Sequence, residues 1–194
     1  MSKQLVNNIY RMRNDELIGL AKNRFLPEEV QLAIAKNGYT RAHWYLCENQ
    51  GLGPAARDYL WSDECNKGYT LKTMLLGYGH FVDDDDKYRE LYDRYNQYWG
   101  RSAYRFANCF FGHYWTLQHN GPQNTPSDLL NRIYDEKYAK PSPRNPYGYS
   151  SPRYELQRLA EHPNVDLELA IKLSQCGMES IQKQGFKKIV HLSK

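Results

Sequence analysis

Three stretches of this 194-residue chain carry the same spacing of apolar and polar residues. They begin at Leu20, Leu46 and Leu159 and read LAKNRFLPEEVQLAIAKN, LCENQGLGPAARDYLWSD and LAEHPNVDLELAIKLSQC. Each has an opening leucine, a small residue, a polar fourth residue, an apolar seventh residue and then an amphipathic helix pattern. A recurring unit of two short helices cannot bury its apolar face alone, so it stacks on neighbouring units. The spacing therefore predicts a short α-solenoid.

The polar fourth position is asparagine in two copies and histidine in the other. It holds Asn23 and Asn49 in the first two copies, which lie 26 residues apart, and His162 in the third. The segment LLGYGHFV, from Leu75, is a candidate for the degraded first part of a fourth copy. The alternative explanation is that any amphipathic helix pair with a similar turn would align equally well.

Helix-start signals recur along the chain, whereas the alternating pattern of strands is scarce. The predicted helix caps are Asn14, Thr40 and Thr70. The residues predicted to lie in first turns are Pro27, Pro54 and Pro152. Gly38 is predicted to end a helix. The sequence therefore predicts an all-α protein. We expect one compact domain made of N-terminal helical repeats (1–76), an aromatic-rich helical insertion (77–138), a proline-rich loop (139–152) and a C-terminal helical repeat (153–194).

The composition is that of a globular protein, with 41% hydrophobic and 25% charged residues. The four cysteines are scattered and form no C-x-x-C pair, which favours free thiols over disulfides or zinc. The chain has no signal-peptide pattern at its start and no apolar stretch long enough for a membrane span. These features predict a cytoplasmic protein without membrane association.

The pattern L-A-x-N, a hydrophobic-proline step and then E-V-x-x-x-[LI]-A resembles the leucine-rich repeat variant family. The resemblance covers about 20–63 and 159–184. It implies a right-handed, HEAT-like solenoid, with Arg41 near the arginine that such repeats often carry. Members of the family with an iron–sulfur cluster have cysteines ahead of the repeats, and no residue before Cys47 matches them, so no cofactor is expected. Repeats with an aromatic insertion are also similar to small accessory proteins of bacteriophages.

Two clusters are candidates for chemistry, and both have simpler explanations. The carboxylates at 83–86 could bind Mg²⁺ or Ca²⁺, but the spacing of a calcium loop is absent, and acidic residues suit the first turn of a helix. Cys109 and His113 can face one side of a helix, but a metal site needs three or four ligands. No common nucleophile, phosphate-loop or zinc-peptidase motif occurs. We predict a protein that is not an enzyme and binds no metal.

A small solenoid presents an extended face that binds another macromolecule by shape. We therefore predict a scaffold, acting as an adaptor or inhibitor, whose expected partner is a protein. The candidate contact residues, chosen as exposed aromatic and arginine side chains, are Arg41, Trp44, Arg57, Trp61, Tyr92 and Tyr95. Packing in the core is the alternative explanation, above all for Trp44 and Trp61. The oligomeric state is not predicted.

The alternative function is nucleic-acid binding by the basic, tyrosine-rich segment 137–158 and the basic C-terminal tail. Cationic side chains neutralise phosphates, and tyrosines stack on unpaired bases. The candidate residues are Lys137, Lys140, Arg144, Tyr147, Tyr149, Arg153, Lys187 and Lys188. A net charge of +4 is well below that of a dedicated nucleic-acid binder, and a polar loop beside a lysine-rich helix has the same composition.

Overall fold

The computed structural model describes residues 2–65, 68–98, 109–111, 124–139 and 152–194. The regular secondary structure of these residues is entirely helical, with no strand, so the all-α prediction is confirmed for them. The chain divides into two compact units, Met1–Phe81 and Val82–Lys194.

The helices of the first unit are α1 (Ser2–Ile9), α2 (Asn14–Ala21), α3 (Glu28–Asn37), α4 (Thr40–Glu48), α5 (Pro54–Trp61) and α6 (Thr70–Gly77). Those of the second are α7 (Asp85–Tyr95), α8 (Ser127–Lys137), α9 (Pro152–Glu161), α10 (Leu167–Ser174) and α11 (Glu179–Leu192), with a 3-10 turn at Asn96–Tyr98. Helix α1 was not predicted from the sequence.

Proline and glycine signals locate several helix ends correctly. Pro54 and Pro152 are the first residues of their helices, and Gly38 follows α3 with a left-handed φ of 87°. The predicted caps Asn14, Thr40 and Thr70 are instead the first residues of α2, α4 and α6, and Pro27 is the cap residue of α3 and not part of its first turn. At α2 the cap residue is Arg13, whose backbone N–H donates to the carboxylate of Glu16 at 2.8 Å.

The helices of Met1–Phe81 pack in two series. Helix α3 contacts both α1 and α5, and helix α4 contacts both α2 and α6. The two series meet where α3 packs on α4 and α5 packs on α6. Fully buried aliphatic side chains fill this unit, among them Val30, Ile34, Leu46, Leu60 and Leu75. Burial of each such side chain stabilises the fold by roughly 1.5–3 kcal/mol, so the packing of the series dominates its stability.

In the unit Val82–Lys194, helices α10 and α11 pack on each other as a hairpin. Helix α11 also contacts α9, and α10 also contacts α8. Gly185 allows the hairpin to close, because a Cβ atom there would lie only 2.6 Å from the backbone nitrogen of Ser174. Aromatic residues form a second cluster, in which the rings of Tyr92 and Phe110 meet edge to face at 5.8 Å.

Candidate partner-binding surface

The three predicted copies share one turn between their two helices. In every copy the fourth residue donates its backbone N–H to the carbonyl of the opening leucine, in the pairs Asn23–Leu20 (2.9 Å), Asn49–Leu46 (3.0 Å) and His162–Leu159 (3.1 Å). The side chain of the fourth residue then accepts the N–H two positions later, in the pairs Asn23–Phe25 (3.0 Å), Asn49–Gly51 (3.0 Å) and His162–Asn164 (3.1 Å). The Nδ1 atom of His162 thus takes the place of an asparagine oxygen.

Side-chain hydrogen bonds also link the first copy to the second. The Nδ2 atom of Asn49 donates to the carbonyl oxygen of Asn23 at 3.2 Å, so equivalent residues of consecutive copies are joined. The buried amide of Gln31 donates to the carbonyl of Gly51 at 2.9 Å and accepts the N–H of Gly53 at 2.7 Å. The polar turns are therefore held against their neighbours as well as within themselves.

Replacing Asn49 by alanine is expected to lower the free energy of unfolding by about 2 kcal/mol. The side chain is only 3% exposed, and its loss leaves the N–H of Gly51 and the carbonyl of Asn23 without these hydrogen bonds. The matched control is Asn23→Ala at the exposed equivalent position, which removes only the bond within the turn and should cost about 0.5–1 kcal/mol. Urea denaturation of both variants measures the difference, and equal losses would show that the link between copies contributes nothing.

The outer side of α4 carries two of the predicted contact residues. Arg41 and Trp44 are both exposed, with 42% of Trp44 accessible, and Glu48 lies one turn beyond Trp44 on the same side. Residues at the ends of the neighbouring helices add to this surface: the Nζ atom of Lys22, directly after α2, lies 4.5 Å from the ring centroid of Tyr45, and the hydroxyl of Tyr78, directly after α6, donates to Glu48 at 3.3 Å. We call these six residues, Lys22, Arg41, Trp44, Tyr45, Glu48 and Tyr78, the α4 surface.

Three other predicted contact residues are buried, so the expectation that they are exposed is wrong. Trp61 is 5% exposed and packs edge to face on Phe81 at 5.0 Å. Tyr92 is fully buried and donates its hydroxyl to Glu136 at 2.6 Å, and Tyr95 is 6% exposed. Their apolar rings lie on the inner faces of their helices, where removal from water stabilises the fold.

Arg57, the sixth predicted contact residue, is half-buried. Its guanidinium lies 4.7 Å from the ring centroid of Phe81 and forms an ion pair with Asp58 at 3.0 Å. It also donates to the carbonyl of His80 at 3.4 Å. These contacts orient Arg57 within its own unit, which leaves Arg41 and Trp44 as the predicted residues with the most accessible side chains.

The candidate nucleic-acid residues are only partly described. Lys140, Arg144, Tyr147 and Tyr149 lie outside the described residues, and Arg153 is in the first turn of α9. Lys137 donates to the carbonyl of Asn96 at 3.4 Å, and Lys188 to that of His162 at 3.0 Å, whereas Lys187 is exposed. Nucleic-acid binding by this set stays a prediction.

The acidic run at 83–86 begins a helix, as its simpler explanation required. Asp84 caps α7 by accepting the N–H of Lys87 at 3.3 Å, and Asp85 and Asp86 pair with Arg89 in the next turn. Negative charge is favourable at this end of a helix. His113 lies outside the described residues, and among those described no three potential ligands of a metal ion come together.

Sequence reasoning missed one cysteine–histidine contact. The Sγ atom of Cys65 lies 3.8 Å from Nδ1 of His43, whose Nε2 is 2.8 Å from the carbonyl of Ala35. Burial raises the pKa of Cys65 to about 11 and lowers the pKa of His43, so both groups are neutral near pH 7. A neutral thiol is a poor nucleophile, so this pair acts as a structural contact. The two residues are 22 positions apart, and no local motif marks them.

The described part of the chain thus defines a class: an all-helical protein with helix–turn–helix units and an exposed tryptophan on the middle helix of one series. Comparisons with protein-family models, with curated proteins and with solved structures find no match. The resemblance to leucine-rich repeat variant proteins therefore stays a prediction. Of the helices within the described segments, none has both the length and the apolar character that crossing a bilayer requires.

Proposed function

We propose that this protein is a non-enzymatic scaffold, built on a short α-solenoid, that binds a protein partner as an adaptor or inhibitor. The observation that carries the proposal is the bond from Asn49 to the carbonyl of Asn23, because it joins equivalent residues of consecutive copies. The packing of α3 between α1 and α5, and of α4 between α2 and α6, is the arrangement expected of stacked helix pairs.

The α4 surface is the proposed contact site. Trp44 keeps 42% of its surface in water, although its large ring is the kind of side chain that folding normally buries. Tryptophan and arginine are also the residues that most often dominate binding energy at protein interfaces, and Arg41 lies one turn before Trp44. Because α4 is the middle helix of its series, α2 and α6 flank this contact site within the unit.

The double variant Arg41→Ala with Trp44→Ala tests the site. We expect the partner recovered from nuclease-treated extract to bind it at least about tenfold more weakly, since interface hot spots of these types each cost more than 1 kcal/mol. The matched control is Tyr10→Ala, which removes an aromatic side chain that is 60% exposed but lies directly after α1.

Two outcomes with the recovered partner contradict the proposal, and a third concerns the Tyr10→Ala control. One is a partner that binds the double variant as tightly as it binds the native chain. The other is a complex that nuclease destroys, or whose affinity falls steeply between low and moderate salt, because that behaviour indicates nucleic acid. Equal weakening by Tyr10→Ala would show that loss of any exposed aromatic ring, rather than this surface, explains the result.

A further inference from the structure

Helices α1 and α2, which begin the two series, carry a groove of about 550 Å³. Its apolar part is formed by Met12 and Leu20, which are half-buried, and by Gly19, where an added Cβ atom would meet nothing within 4 Å. Four exposed polar residues complete its lining: Asn8, Arg11, Glu16 and Asn23. We call these seven residues the α1–α2 groove.

The next helix pair, α3–α4, shows what covers the equivalent surface. A shift of 26 residues, the distance between the first two copies, carries α1 to 28–35, within α3, and α2 to 40–47, within α4. The same shift carries Arg11 and Asn23 to Asn37 and Asn49. The Nδ2 atom of Asn37 donates to the carbonyl of Ile9 at 3.4 Å, and that of Asn49 donates to the carbonyl of Asn23 at 3.2 Å. The groove residues therefore occupy the positions through which one helix pair stacks on the preceding pair.

Three other groove positions are fully buried in α3–α4. Asn8, Glu16 and Leu20 correspond to Ile34, Ala42 and Leu46, none of which has accessible surface. A helix pair that only ends a solenoid has a polar outer face, and Asn8 and Glu16 fit that role. Met12 and Leu20 do not fit it, because each keeps part of an apolar side chain in water. The groove is thus a stacking surface that is polar in one part and apolar in another.

The hydrogen bonds between the two helix pairs identify the group that the groove would meet. Ile9 is the last residue of α1, and Asn23 follows α2 by two residues, so both acceptors are backbone carbonyls at helix C-termini. The last carbonyls of a helix have no partner in its own ladder of hydrogen bonds, and a cation beside them is favourable. At the equivalent places the groove has two donors, the guanidinium of Arg11 and the Nδ2 atom of Asn23. Within the described residues, Arg11 forms no ion pair and this Nδ2 atom donates no hydrogen bond.

We propose that the α1–α2 groove docks a helix pair of a protein partner, with the carbonyl groups at its helix C-termini on Arg11 and Asn23. An apolar side chain of that pair would cover Met12 and Leu20. The docking continues, with another polypeptide, the stacking that joins α3–α4 to α1–α2. Nucleic acid is disfavoured, because its phosphates would face the carboxylate of Glu16. The inference rests on the solenoid architecture of the proposed function, but not on the α4 surface.

A second copy of residues 28–53, fused directly ahead of Ser2, serves as a tethered substitute for the partner. This segment is 26 residues long, so the fusion keeps the spacing of the helix pairs. We expect its amides to be protected from hydrogen exchange, and to exchange at least about tenfold faster when the fusion also carries Arg11→Glu with Asn23→Asp, since both donors are then lost. An aspartate at position 23 can still accept the N–H of Phe25, so the turn is kept. The control Arg24→Glu changes the charge of an exposed residue outside the groove and should leave the exchange unchanged.

The fusion also separates this site from the α4 surface, because it fills the groove. A protein that docks in the groove should be recovered from nuclease-treated extract with the native chain and with Arg41→Ala plus Trp44→Ala, but not with the fusion. Unprotected added amides, or equal exchange in the fusions with and without Arg11→Glu and Asn23→Asp, overturn the proposal. Recovery of the same proteins with the fusion as with the native chain overturns it too. So does a dimer of the native chain in light scattering that Arg11→Glu with Asn23→Asp abolishes, because a second copy of the chain would then cover the groove.

Discussion

Replacing Gly185 by alanine is expected to lower the free energy of unfolding of the Val82–Lys194 unit by about 3 kcal/mol. The new methyl carbon would lie 2.6 Å from the backbone nitrogen of Ser174 and 2.9 Å from the carbonyl oxygen of Ala170. Both are backbone atoms of α10, so no side chain can move aside to relieve the overlap. The two helices must separate, and the buried contacts on both sides of Gly185 are weakened.

The same substitution at Gly19 is the matched control for this prediction. Gly19 also lies inside a helix, but an added Cβ there meets nothing within 4 Å. Gly19→Ala should therefore raise stability by about 0.5–1 kcal/mol through helix propensity alone. Urea denaturation followed by circular dichroism measures both variants. If Gly185→Ala were as stable as the native chain, the close packing of α10 on α11 would be wrong.

Acidification from pH 7.5 to pH 5 is expected to destabilise the second unit by on the order of 2 kcal/mol through His162 alone. Its side chain is fully buried, and its Nε2 has no hydrogen-bond partner among the described residues. Burial, with a smaller effect from the charge of Lys188, lowers the pKa of His162 from 6.5 to about 3. The unfolded chain therefore binds a proton below pH 6.5 that the folded chain does not bind until about pH 3, and stability falls across that window.

The variant His162→Asn isolates this contribution. Asparagine occupies the equivalent position in the other two copies, where its oxygen accepts the N–H two positions later, and it does not titrate. Burial also lowers the pKa values of His43 and His80, but both residues are present in the native chain and in the variant, so their effects cancel. Asp128 and Glu136, whose pKa values are lowered, are likewise present in both proteins, so their effects also cancel. An equal loss of stability at pH 5 in both proteins would contradict the assignment.

The local features of the fold could be predicted from the sequence because short-range chemistry determines them. Pro54 begins a helix and Gly38 ends one with a positive φ, as their backbone preferences require. The polar fourth residue of each stretch lies in a turn, where Asn23, Asn49 and His162 make equivalent hydrogen bonds, but the sequence analysis did not predict these bonds. The first turn of α1 carries no acidic residue, and this helix was missed.

The surface could be predicted only in part, because one periodicity describes both a core stripe and a binding stripe. Arg41 and Trp44 are exposed, but Tyr92 is buried against Phe110 and bonds to Glu136, which lies 44 positions further along the chain. Nothing near Tyr92 in the sequence indicates that contact. The exposure of Phe186 was missed for the same reason, since it depends on which neighbours α11 acquires.

Insertion of a second copy of residues 28–53 directly after Gly53 tests the central claim that this segment is one stacking unit. If it is, the added helices continue both series, so total helical ellipticity and the urea m-value should rise, and the inserted amides should be protected from hydrogen exchange. Insertion of residues 28–38 alone is the control, because it would shift every later helix into the wrong series and should disrupt folding. Unprotected inserted amides with an unchanged m-value would contradict the claim.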